Sequence, residues 1–65
     1  MNWDTIEGSW KEVAGRAKAK WGDITNDEWA TIKGRREEMV GLVQKRYGQA
    51  RDAAEKEVDD WFGTL

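Results

Sequence analysis

Apolar and polar positions alternate along this chain with the period of a helix. Trp3, Ile6, Trp10, Val13, Ala14, Ala17 and Trp21 recur at steps of three and four. At about 100° per residue they fall in one arc, which is the stripe of a helix facing a core. A second stripe runs through Trp29, Ile32, Met39, Val40, Val43 and Tyr47, and a third through Ala50, Ala54, Val58, Trp61 and Phe62. Arg36 interrupts the second stripe, so its stem is expected along the core edge with its head in water. No stretch shows the period-two pattern of a strand, and proline is absent. An all-α domain follows.

The first two stripes are related. Shifting the chain by 26 residues superposes Trp3 on Trp29, Thr5 on Thr31, Ile6 on Ile32, Gly8 on Gly34, Glu12 on Glu38, Gly15 on Gly41 and Gly22 on Gly48. Val13 meets Met39, Lys20 meets Arg46 and Trp21 meets Tyr47. Seven identities over twenty positions point to a duplicated helical unit, 3–22 and 29–48, followed by a C-terminal helix at about 51–62. Convergence of two amphipathic helices on one pattern is the alternative.

Boundary signals accompany the stripes. Gly22 and Gly48 each follow a basic-aromatic pair, where glycine is expected to supply a left-handed helix end. Ser9-x-x-Glu12 and Thr25-x-x-Glu28 both fit a capping box. The second starts a helix near Asn26. The first lies inside a stripe that begins at Trp3, so helix 1 starts either near Asp4 or at Ser9. Gly34 leaves 26–47 as either one helix or two. Ala50 offers the last helix no cap oxygen. Gly8 and Gly34 are expected at chain breaks, and Gly15 and Gly41 at close approaches of another helix. On the latter reading leucine at Gly15 or Gly41 unfolds the domain or blocks self-association.

Composition narrows the chemistry. Sixty-five residues allow one domain, and so short a chain buries only about 60% of the surface it exposes when unfolded. It has neither cysteine nor histidine. Disulfides, thiolate metal sites and the commonest general base are therefore excluded, and packing must supply the stability. Five tryptophans, each burying on the order of 150–250 Å², are the means. They are expected in the core rather than as stacking platforms for bases, with Trp3 and Trp61 partly exposed. Charged residues make up 37% of the chain, yet the net charge is only -2, which gives no general pull toward nucleic acid or membrane. No apolar run reaches the ~20 residues of a membrane span, and Met1 to Asp4 lacks the features of a secretory signal. A cytoplasmic location is expected.

The charges are blocked by segment. Lys11, Arg16, Lys18 and Lys20 crowd one stretch and Asp23, Asp27 and Glu28 the next. Lys33, Arg35, Arg36, Lys45 and Arg46 follow, then the acidic tail of Glu55, Glu57, Asp59 and Asp60. Ion pairing between segments explains the pattern, and would offset the poor match of that tail to its helix dipole. A nucleic-acid surface carried by Lys11, Lys18, Arg35, Arg36 and Arg46 is the functional alternative. The acidic tail does not have calcium-loop spacing. Glu37 and Glu38 point apart, Ser9 is better used as a cap, and no phosphate loop is present. No catalytic residue, metal, cofactor or small-molecule substrate is expected.

The ordered motifs Gly8-x-Trp10-Lys11, Gly15-x-x-Lys18-x-Lys20-Trp21-Gly22 and Ile24-Thr25-Asn26-Asp27 resemble the first half of CsbD-like proteins. Gly34, Val40-Gly41-x-Val43-Gln44-x-Arg46-Tyr47-Gly48 and Ala54-Glu55-x-Glu57-Val58-x-x-Trp61 resemble the second. Ala50 and the dense N-terminal tryptophans depart from that pattern. The resemblance implies a small bacterial cytoplasmic protein associated with general stress responses. It also implies a small four-helix domain of two helical hairpins packed roughly orthogonally, and it carries over no catalytic residue. The leading expectation is a non-enzymatic protein that binds or shields other macromolecules. A nucleic-acid-binding protein and a protein-interaction module are the alternatives. A monomer or weak homo-oligomer is expected, with partners unknown.

Overall fold

Asn2 begins the fold. Its Oδ1 accepts the backbone N–H of Thr5 at 2.8 Å, giving the first turn the acceptor that a helix start lacks. Helix α1 then runs Trp3–Gly8 in the computed structural model, which describes residues 2–65. Ser9 breaks the chain for one residue before α2, Trp10–Lys20. Both proposed starts of helix 1 are therefore real. The expected capping box at Ser9 is not formed, because the serine side chain makes no cap bond. The Ser9 N–H still reaches the carbonyls of Thr5 and Ile6, at 3.0 and 3.2 Å, so helical bonding runs almost unbroken from α1 into α2.

The box at Thr25 does form. Thr25 Oγ1 accepts the Glu28 N–H and Glu28 Oε1 accepts the Thr25 N–H, both at 3.1 Å. It starts α3, Asn26–Ala30. The chain then breaks over 31–35 before α4, Arg36–Tyr47. Gly34 is the reason. Its φ is 81°, and a Cβ there would lie 2.6 Å from Cε3 of Trp10. Left-handed backbone beneath an indole face admits glycine alone. The Glu38 carboxylate accepts the N–H groups of Lys33 and Arg35 and so covers the start of α4.

Gly48, at φ 64°, ends α4 as expected, its N–H bonded to Gln44 O at 2.9 Å. Gly22 does not have a left-handed backbone. Trp21 ends α2 instead, swinging its ring into the core while the Ile24 N–H bonds its carbonyl at 3.1 Å. Helix α5, Arg51–Phe62, starts at Ala50 without a side-chain cap.

The described residues thus form five helices and no strand, where four helices were expected. The difference comes from the single-residue break at Ser9 and the longer one at Gly34. Displaced by 26 residues, α2 begins where α4 begins, whereas α1 and α3 do not coincide. None of the helices is long and apolar enough to cross a membrane.

The core is built from the predicted stripes, with Ile24 added from the loop before α3. Trp21, Trp29 and Trp61 are buried, while Trp3 and Trp10 are half-buried. The expectation that Trp61 is partly exposed is wrong. Trp61 continues the inward line of Ala54 and Val58, and its neighbour Phe62 is the half-exposed ring, stacked on Trp3 at 4.8 Å. Trp10, Trp29, Trp21 and Trp61 form a chain of ring contacts with centroids 5.9, 6.0 and 5.5 Å apart. Such contacts add about 0.5–1.5 kcal/mol each beyond the area they bury. The indole N–H groups of Trp21 and Trp29 have no acceptor among the described residues, an opposing cost of about 1–3 kcal/mol each.

The acidic tail finds its partners. Arg36 binds Asp59 at 2.9 Å and Glu55 at 3.2 Å, so its head lies against α5 rather than in water as expected. Arg51 spans Glu37 and Glu55, and Lys20 lies 4.0 Å from Glu57.

Candidate functional site

Where α2 meets α3, the contact is made by large rings and left open by small residues. The Trp10 indole N–H donates to Trp29 O at 2.9 Å, and the two rings meet edge to face. Ala14 and Gly15 on α2 face Ala30 on α3. They are too small to close the gap, and a groove of about 550 Å³ remains, completed by Lys11 and Asn26. A Cβ at Gly15 would meet nothing within 4 Å. The same holds for Gly41, so neither glycine permits the close approach within the chain that was expected of it. Both face open space, and leucine at either position has no neighbour to displace.

The sequence-predicted cations do not share one surface. Lys11 lines the groove from α2, and Lys18, two turns further along that helix, donates from Nζ to Oδ1 of the lining residue Asn26 at 2.9 Å. Arg35 is held by Glu7 at 3.3 Å. Arg36 is held by Asp59 and Glu55, whose hydrogen bonds raise its pKa further above the ordinary arginine value. Arg46 stands in the last turn of α4. Together with Lys45 it adds a small Coulombic pull on Glu28, whose pKa is lowered chiefly by the Thr25 N–H. Two of the five cations are thus brought together at the groove, two are tied to carboxylates, and one stands apart.

The groove can do little chemistry. Its lining is apolar apart from one ammonium and one amide, with no carboxylate or hydroxyl. Tyr47, the sole phenol, accepts the Asp23 N–H at 3.3 Å. Among the described residues, no group of three or more carboxylates is gathered closely enough to hold a metal. What the groove can do is take an apolar side chain between two indoles with cations at its edge. Ala30, Asn26 and the wall role of Trp10 escaped sequence reasoning. Their signal, small residues beside tryptophans, acquires meaning only once the facing helix is known.

Comparison with known proteins places the chain in context. The profile of the family described as CsbD-like matches residues 4–56. UPF0337 protein RPA4217 of Rhodopseudomonas palustris is 49% identical over 65 residues, covering 100% of this chain and 98% of the relative. The UPF0337 protein YjbJ of Escherichia coli K12 is 48% identical over 61 residues, covering 94% of this chain and 88% of the relative. YjbJ of Salmonella typhimurium is also 48% identical, covering 94% of this chain and 87% of the relative.

Proposed function

The chain belongs to the CsbD-like family of small, non-enzymatic, stress-associated bacterial proteins, and from that premise we propose that it acts by binding another protein along the groove between α2 and α3. The observation that carries this reading is the open, tryptophan-walled gap above Gly15. Small residues on both helices leave the half-buried Trp10 ring bordering an open gap into which a partner's side chain can fit. An interior glycine at Gly15 also costs helix stability, and the open floor gives that cost a purpose.

Copurification from stressed bacteria tests it. The wild-type chain should retain a discrete partner, and Gly15→Leu, which fills the floor, should lose it with the fold intact by circular dichroism. An identical partner set for both would contradict the proposal.

A second reading keeps nucleic acid as the partner. Lys11, Lys18 and Arg46 support it, since none of them makes an ion pair among the described residues. Arg35 and Arg36 support it less, being held by carboxylates. Titration of labelled DNA and RNA at low salt should give a steeply salt-dependent signal on this reading, and none if the partner is protein. The bacterial cytoplasm is the proposed setting and a monomer or weak homo-oligomer the proposed state. Duplication of a 26-residue unit and a roughly orthogonal packing of two hairpins stay proposals about the fold's origin and geometry.

A further inference from the structure

The groove has a charge pattern as well as a shape. Lys11 and Lys18 lie seven residues apart on α2, two turns, which places them about 10 Å apart along the axis. Five of the eleven cations are paired within the chain, and six, among them Arg16, Lys33, Lys45 and Arg46 besides these two, make no ion pair among the described residues. Lys11 and Lys18 are the ones set two turns apart beside the groove. Arg35 takes Glu7, Arg36 takes Glu55 and Asp59, Arg51 takes Glu37, and Lys20 takes Glu57. Lys11 and Lys18 have no such carboxylate among the described residues, and Lys18 holds only the neutral oxygen of Asn26. Between these cations lies the apolar floor.

We infer that the groove takes an acidic amphipathic helix from a partner protein, with carboxylates two turns apart on Lys11 and Lys18 and an apolar side chain seated between them over Gly15. The inference rests on the proposed reading of the groove as the binding surface and adds the partner's chemistry. Spacing supports it, because carboxylates two turns apart on a facing helix repeat the interval between the two lysines. Shape supports it too. Ala14, Gly15 and Ala30 let a helix backbone come close, and the gap of about 550 Å³ has ample room for one leucine or phenylalanine side chain. The groove is open on one side, so its occupant must bring its own cover, as a helix does and a single acyl chain does not. A second copy of this chain offers one carboxylate pair at that interval within a helix, Asp52 and Asp59 on α5, and Asp59 is already held by Arg36.

The probe is a synthetic alanine-rich helical peptide carrying two glutamates two turns apart and a leucine between them. Controls are the same peptide with lysines in place of the glutamates, and phosphatidylglycerol vesicles. The full chain is followed by amide and indole NMR resonances. The acidic peptide should shift the Gly15 and Ala30 amides and the Trp10 indole saturably. Affinity should fall about tenfold in Lys11→Glu/Lys18→Glu, as expected for two exposed ion pairs turned repulsive. Gly15→Leu should stay folded and not bind. An equal response to the lysine peptide overturns the inference while leaving the groove as a binding surface. No response to either peptide overturns both. Shifts produced by the vesicles and not by the acidic peptide overturn the inference in favour of a lipid ligand.

Discussion

Gly15 and Gly34 are the same residue put to opposite uses. Gly34 is buried, left-handed and pressed against Trp10, so a methyl group there must move an indole. Gly15 is exposed in the middle of α2, with nothing near it. Gly15→Ala, and likewise Gly41→Ala, should stabilise by about 0.5–1 kcal/mol each through helix propensity. Gly34→Ala should destabilise by more than about 2 kcal/mol, from left-handed backbone and the clash together. Thermal melts check both signs. The sequence register showed that glycine recurs at matching places in the two units. It did not show which glycine was required, because a missing side chain reads alike whether the backbone needs its absence or solvent tolerates it. Trp10, which makes Gly34 necessary, comes from a different helix.

At the scale of elements, the long helices were legible and the joints were not. The stripes of α2, α4 and α5, the Thr25 box and the Gly48 terminus all follow from local chemistry. Ser9 misled because its sequence fits a cap while its backbone N–H is already taken by α1. Ile24 lies in a loop, where no period marks it as core. Helix α1 has six residues, fewer than an isolated helix can sustain in water. Ile6 and the Trp3–Phe62 stack hold it down. Hydrogen exchange should therefore find α1 opening more readily than α4 and α5, and Phe62→Ala should speed exchange in α1 while leaving α4 protected. Equal exchange in all helices would contradict this.

Between α4 and α5 the joint is ionic. Hydrogen bonds from Arg36 hold the Asp59 carboxyl below the usual carboxylate range. Its folded-state pKa is depressed, so its contribution is complete above the unfolded value near 4 and is lost as pH falls through the lower folded value. Arg36→Met keeps the stem, removes the head and should cost about 1 kcal/mol at neutral pH and low salt, since the pair is partly exposed. The deficit should shrink in high salt, and the acid limb of the melting curve should become shallower.

The described residues reach native compactness without a disulfide. Their radius of gyration is 10.6 Å, against about 11 Å for a folded chain of this length. Tryptophan contacts running from α2 through α3 to α5 take the place of a staple. With no histidine in the chain, the melting temperature should be level from roughly pH 5 to 8. It should fall below about pH 4, where Asp59 and Glu28 lose the advantage of their lowered pKa values. A marked step near neutrality would contradict this.

Family membership followed from the ordered motifs. The groove did not, because it lies between two helices whose facing sides no single stripe reveals. Lys11 and Lys18 were singled out as cations, but whether they meet a carboxylate among the described residues depends on where every other charge lands.

The groove as working surface is tested most directly by photo-crosslinking in stressed bacteria. A photoreactive residue is placed at Ala30, exposed in the groove, and in a second strain at Ala53, exposed on α5. A discrete adduct at Ala30 and none at Ala53 is the expected result. Adducts of equal strength at both, or at Ala53 alone, would contradict it.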